Sequence, residues 1–194
     1  MRKIFALFVC FLLCSVGSAS AVTLSLNPSN VTVNVGDTFD ISLDAQLSDN
    51  AAQPGAISAW DVDVTYNPSQ MVFAGYALGT GLGLSLDLSW GDMGGGLVGL
   101  VDLAEISLET SQWLIDNQPD PFLLATLQFE CLKAGNSQIL LTLQFVGDEN
   151  GAPIAAHVGA PVSVTQTQVP EPSTFMLIVT GLLGVGVLRR RFKN

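Results

Sequence analysis

The sequence predicts an all-β protein, a β-sandwich of about eight or nine strands, flanked by an N-terminal signal peptide and a C-terminal transmembrane helix. Three observations predict this. Apolar and polar residues alternate at period two through the middle of the chain, and turn-forming residues separate the alternating stretches. Apolar runs next to basic residues occupy both ends. The expected units are therefore residues 1–21, 22–168 and 169–194.

The N-terminal unit has the three parts of a secretory signal peptide. Residues 1–3 carry two basic side chains, residues 4–16 are mostly apolar, and Ala19 and Ala21 form a small-x-small cleavage pattern. We expect cleavage after Ala21. A permanent anchor is one alternative, but the apolar run is shorter than the ~20 residues of a membrane span. A lipoprotein lipidated at Cys14 is the other, but residues 11–13 lack the small residue expected just ahead of a lipidated cysteine.

Removal of the two ends leaves a strongly acidic domain with one cysteine. Residues 22–168 hold 16 acidic residues against Lys133 alone, a net charge of about −15. Such a surface repels nucleic acid and attracts cations. Cys131 has no partner for an internal disulfide, so the stability of the domain must come from its apolar core. Cys131 continues the alternation of apolar residues in its strand, which predicts that it is buried in this core.

Eight alternating segments form the expected sandwich. Each has one apolar and one polar face, so two sheets must stack with their apolar faces together. Residues 109–117 are the only stretch that favours a short helix. The predicted strands cover residues 22–26, 31–35, 38–45, 59–66, 84–90, 125–130, 138–145 and 162–164.

Two turn motifs in this domain resemble those of the cohesin-type domain, which is similar to carbohydrate-binding modules of the same jelly-roll family. Gly36-Asp37 precedes the alternating strand in VNVGDTFDISLDA, and Tyr66-Asn67-Pro68 closes the next one in ISAWDVDVTYNPSQMVF. The later stretch FLLATLQFECLKAGNSQILLTLQFV continues the likeness. The resemblance spans roughly residues 23–167 and implies the fold more than an activity.

Few residues in this domain have a catalytic pattern. His157 is the only histidine, no G-x-S-x-G is present, and zinc sites need more His and Cys residues. Several carboxylates suggest the acid pair of a carbohydrate hydrolase, but they fall on predicted polar faces, where solvation is the simpler explanation. We therefore expect no enzymatic activity. These carboxylates are Asp40, Asp44, Asp61, Asp63, Asp102, Glu105 and Glu109.

Two kinds of binding residue are candidates. Asp148, Glu149 and Asn150 form an acidic turn that is a weak calcium candidate, because hard cations take oxygen ligands but the spaced calcium-loop motif is missing. No other cofactor is expected.

Among the tryptophans, Trp60 and Trp90 alternate in step with the apolar residues of their strands and are expected in the core. Trp113 lies in an irregular stretch and is the candidate platform for a sugar ring.

The C-terminal unit combines a rigid linker, an apolar run and a basic cluster. We expect Pro170, Glu171 and Pro172 to be extended and accessible, because proline ends helices and sheets. Residues 173–188 would form a helix of about 24 Å, a marginal membrane span. The basic cluster Arg189, Arg190 and Arg191 would stop transfer and stay in the cytoplasm.

This ordered pattern in residues 169–194 resembles the PEP-CTERM sorting signal. The resemblance implies a Gram-negative host, transient anchoring in the inner membrane, cleavage at Pro-Glu-Pro by an exosortase, and delivery to the cell surface among exopolysaccharide.

We expect an exported, non-catalytic domain that binds extracellular polysaccharide or another surface protein. The alternatives are a purely structural acidic matrix protein, as in a biofilm, and a carbohydrate-active hydrolase. An exposed tryptophan row would favour binding, and an evenly polar surface would favour the structural role.

Overall fold

The computed structural model describes residues 22–47, 55–93 and 99–168. Within these ranges the protein is a sandwich of two β-sheets with one short helix. The predicted sandwich is therefore confirmed. The predicted signal peptide, the Pro-Glu-Pro linker, the apolar run and the arginine cluster lie outside the described residues.

Twelve strands and one helix make up the described part of the chain. Their bounds are β1 Val22–Pro28, β2 Thr32–Asn34, β3 Thr38–Leu47, β4 Ile57–Thr65, β5 Met71–Leu78, β6 Ser85–Asp87, β7 Gly91–Asp92, β8 Leu100–Ser107, α1 Ser111–Asn117, β9 Phe122–Cys131, β10 Gly135–Asp148, β11 Ala156–Val158 and β12 Val162–Thr167.

The first sheet has the order β11-β1-β3-β9-β5, and the second has β2-β12-β10-β4-β8-β6, with β7 also paired to β8. Most neighbours are antiparallel, while β11 pairs with β1 and β2 pairs with β12 in parallel. The short strand β6 is thus an edge of the second sheet, and β8 lies between it and β4. Edge strands expose backbone groups and one flank of side chains to whatever surrounds the protein.

The core lies between the two sheets and is made of alternate residues of the long strands. In β4, for example, Trp60, Val62 and Val64 are buried, while Asp61 and Asp63 between them point away from the core. Cys131 is buried as predicted. The buried core residues run from Val22 to Val164, so the sandwich has a core of its own and can be tested as residues 22–168.

The structure holds more strands than the alternation predicts. Strands β5 and β8 were not expected, because a small residue interrupts the alternation of apolar and polar residues in both. In β5, Gly75 lies at a register shift, and in β8, Ala104 is apolar and buried although it lies on the face away from the core.

The predicted short helix is confirmed as α1, capped by the side chain of Thr110. No helix in the described ranges has the length and hydropathy of a membrane span.

Candidate functional site

The segment 84–90 does not face the core as predicted. Its alternating apolar residues Leu84, Leu86, Leu88 and Trp90 are all exposed, with Leu84 at 65% and Trp90 at 80% relative exposure. The prediction that Trp90 belongs to the core was wrong. Trp60, in contrast, is buried as expected, at 1% exposure.

The polar residues of this segment form hydrogen bonds to other parts of the sandwich, although Asp87 itself is exposed. Ser85 donates its hydroxyl proton to the carboxylate of Glu105. Asp87 accepts a 2.8 Å hydrogen bond from the hydroxyl of Tyr76. The hydroxyl of Ser89 accepts from the backbone N–H of Ala104 at 3.0 Å. These bonds fix the orientation of the strand, so its apolar residues are left on the outside.

Glu105 is the buried acid that holds this arrangement together. Its side chain is only 2% exposed, which contradicts the expected solvated position. Burial raises the pKa of Glu105, while hydrogen bonds from Ser85 and Trp60 oppose the rise and the charge of Asp87 adds to it. The indole Nε1 of Trp60 donates to Oε2 of Glu105 at 3.1 Å. Buried carboxylates are tolerated when donors satisfy them, and here two neighbouring strands supply the donors.

We expect acid to stabilise the wild-type domain relative to a Glu105→Gln variant. A carboxyl with a raised pKa in the folded state binds its proton more tightly than in the unfolded chain. Its contribution to the free energy of unfolding therefore grows as the pH falls from the raised pKa toward the ordinary value of 4.5. Glutamine cannot titrate, so urea titrations of both proteins across this window should show the difference. A difference that is independent of pH would contradict the account.

A second row of exposed apolar residues lies beside the first. Leu86 is paired with Ile106 of β8, and the N–H of Leu108 donates to the carbonyl of Leu84 at 2.7 Å. Ile106 and Leu108 are both exposed. We call these six side chains the apolar columns; they are Leu84, Leu86, Leu88, Trp90, Ile106 and Leu108.

Three aspartates lie next to the apolar columns on the same outward side of the second sheet. Asp63 of β4 is paired directly with Asp102 of β8, and Asp61 is two residues before Asp63 on the same face. The backbone N–H of Trp90 donates to Asp102 over a long 3.4 Å, which joins the two features. We call Asp61, Asp63 and Asp102 the acidic triad.

The acidic triad is strained electrostatically. Burial raises the pKa of Asp61, and the charges of Asp102 and Asp63 raise it further. One enclosed carboxylate oxygen of Asp61 has no hydrogen-bond partner among the described residues. The side chain of Gln144 donates to Asp63. Across the described ranges, no three His, Cys, Asp or Glu residues are placed to hold a metal ion.

The candidate platform Trp113 is partly buried on helix α1. Its ring occupies the space beside Gly83, where an added Cβ would lie 2.5 Å from the ring atom Cη2. Gly83 has a φ of +65°, which also favours glycine. Part of the Trp113 ring is therefore used to cover this turn, and its use as a ligand platform stays a prediction.

The acidic turn at residues 148–150 uses its oxygens internally. One carboxylate oxygen of Asp148 accepts from the N–H of Asn150 at 2.9 Å and from that of Ala152 at 2.8 Å. The side-chain amide of Asn150 donates to Glu149 at 3.0 Å. The turn thus has a structural explanation in its own hydrogen bonds.

The other candidate residues are dispersed. His157 is exposed on β11, where it pairs with Thr23. Asp44 lines a surface cavity of about 380 Å³ on the first sheet. Its carboxylate accepts from Asn27 at 2.8 Å and from Ser42 at 2.7 Å. No second acidic residue lines that cavity, so it does not supply an acid pair.

Residues 168–191 match the model of the PEP-CTERM protein-sorting motif. The predicted resemblance of the tail is thereby confirmed, and the chain carries this motif. A motif of this kind marks an exported, membrane-anchored surface protein of Gram-negative bacteria, processed by an exosortase. No curated protein matches the sequence.

Solved structures similar to the sandwich are cohesin domains. A type II cohesin domain from the cellulosome of Acetivibrio cellulolyticus aligns with a TM-score of 0.60 and 16% identity, covering 74% of this chain and 95% of that one. A cohesin module from a Clostridium perfringens family 33 glycoside hydrolase aligns at 0.57 and 14%, covering 78% and 100%. The cohesin of a type I cohesin–dockerin complex from Clostridium thermocellum aligns at 0.59 and 11%, covering 78% and 96%. At these identities the likeness establishes a cohesin-like fold.

Proposed function

We propose that this protein is a non-catalytic binding module that is displayed at the cell surface and docks another protein through the apolar columns. The observation that carries the proposal is the inverted orientation of segment 84–90. Four large apolar side chains are exposed within this short segment, although the chain has polar residues at the intervening positions.

Exposed apolar side chains in one contiguous group are a mark of an interaction surface, whereas single ones are ordinary. Leu86 and Ile106 are paired on two adjacent strands, and the other four exposed side chains lie in the segments that directly adjoin these strands. Covering them with a protein would remove this apolar surface from water, which is favourable. The surface is not evenly polar, so the observation weighs against the purely structural alternative.

Protein is a better occupant than polysaccharide because the columns are mostly aliphatic. Leucine and isoleucine offer no hydrogen bonds to sugar hydroxyl groups, while protein interfaces combine aromatic anchors with aliphatic contacts at their centres. Trp90 is the exception, since an exposed indole ring suits either occupant. A protein partner is also supported by one of the similar structures, in which a cohesin domain is in complex with a dockerin.

The organisation we propose along the chain is a signal peptide at residues 1–21, the binding domain at 22–168 and the sorting signal at 169–194, with a membrane segment at 173–188. The tail would hold the protein in the inner membrane until an exosortase cuts at Pro-Glu-Pro. The domain would then reach the surface or the extracellular matrix with its binding face free.

A photo-crosslinking amino acid at position 86 tests the proposed function. In producing cells we expect a discrete crosslinked protein, and we expect its loss when Ile106→Asp and Trp90→Ser are added. The matched control is the same amino acid at position 123, since Leu123 is an exposed leucine on the first sheet. Equal crosslinking at both positions, or products that contain only polysaccharide, would contradict protein docking at this face.

A further inference from the structure

We infer that the partner docked on the apolar columns is a cationic amphipathic segment, whose apolar residues cover the columns and whose arginine or lysine side chains pair with the acidic triad. This inference rests on the proposed function and adds the chemistry of the partner. It follows from the position of three carboxylates beside an exposed apolar surface.

The first argument is the unfavourable pairing inside the triad. Asp63 and Asp102 are directly opposite each other on neighbouring strands. Like charges in this position destabilise a sheet. Burial and the two neighbouring charges also raise the pKa of Asp61. A cation placed over this face would reduce the repulsion among the three carboxylates. Binding the cation would therefore relieve an electrostatic destabilisation of the free protein.

The second argument is the scarcity of cationic side chains within the domain. Lys133 is the only lysine or arginine between residues 22 and 168. It lies after β9, where its N–H donates to the carbonyl of Gln70, and not beside the triad. A second copy of the domain would bring the same acidic face and a net charge of about −15. Charge therefore selects a basic partner over self-association.

The third argument is the geometry of the carboxylates. Asp61 and Asp63 follow each other along one face of β4, and Asp102 of β8 lies opposite Asp63. No three such residues in the described ranges are placed to hold a metal ion. Carboxylates on an open sheet face suit guanidinium groups, which form charge-assisted hydrogen bonds with them. An amphipathic helix presents one apolar row and an adjacent charged row, which matches columns that lie beside a triad.

The test uses residues 22–168 and two synthetic helical peptides that share a leucine row but carry either arginine or glutamate beside it. We expect only the arginine peptide to bind, and we expect a variant with Asp61→Asn, Asp63→Asn and Asp102→Asn to weaken binding on the order of tenfold or more. The matched control removes three charges on the first sheet, with Asp40→Asn, Asp44→Asn and Glu130→Gln. It should change the affinity by less than about threefold, because the apolar columns and the acidic triad belong to the second sheet and salt screens exposed charges over distance.

Several outcomes would overturn the inference: equal binding of both peptides, no binding of the arginine peptide, or equal losses in the two triple variants. A domain that dimerises through Leu86 in sedimentation experiments would make a second copy the occupant. Binding to a glycan array that depends on Trp90 would make it a saccharide. Capture of an acidic or uncharged protein at position 86 would refute the basic partner while leaving the proposed function in place.

Discussion

A Phe129→Ala variant of residues 22–168 is expected to lose about 3–5 kcal/mol of unfolding free energy. Phe129 is fully buried at the centre of the sandwich. Its ring stacks on Phe39 at 5.8 Å between centroids and meets Tyr66 and Phe73 edge-on at 5.2 and 5.6 Å. Truncation would open a cavity that three rigid aromatic neighbours cannot easily fill.

Urea unfolding measures this loss, and Leu86→Ala is its control. Leu86 is also a large apolar residue in a strand, but it is exposed. Its truncation should change the free energy of unfolding by less than about 0.5 kcal/mol, as for most surface substitutions. Similar losses in the two variants would show that Leu86 belongs to the core and would remove the basis for a docking surface.

Replacement of Pro170, Glu171 and Pro172 with alanine is expected to stop release from the inner membrane almost completely. The sorting motif matched at residues 168–191 contains this tripeptide, which is the cleavage site that we propose. Export itself should continue, because the change leaves the proposed signal peptide at residues 1–21 untouched. Fractionation of cells into inner membrane and surface material measures the outcome.

The control for this change is alanine at Gln168 and Val169, which precede the tripeptide. That variant should reach the surface at the normal level. Mass spectrometry adds a second check on the mature surface protein. Peptides from residues 175–188 in that material would show that the tail is kept as a permanent anchor, and they would contradict processing at the motif.

The sandwich could be predicted from sequence because its long strands follow a simple rule. In β3 and β4 the apolar residues point to the core and the polar residues point outward, and the structure preserves this phase. The sorting motif could also be predicted, because it is a linear pattern that needs no tertiary structure. Both features depend on residues that are close together in the chain.

The docking surface could not be predicted, because the same alternation of apolar and polar residues leaves the apolar residues exposed at the edge of the sheet, whereas it buries them in the long strands. Segment 84–90 has the alternation of a core strand, yet its apolar residues are exposed, and Ser85, Asp87 and Ser89 form hydrogen bonds to residues that are distant in sequence. Glu105 appeared to be a solvated acid because its donors, Trp60 and Ser85, are 45 and 20 residues away. Only the folded chain brings these groups together.

Hydrogen exchange of the domain with and without the partner captured at position 86 tests the docking surface most directly. Amides that become covered or ordered exchange more slowly, so the footprint identifies the bound face. The account predicts slower exchange in residues 84–90 and 104–108, with β1 and β3 of the first sheet unchanged. Protection confined to β1 and β3, with residues 84–90 unaffected, would contradict it.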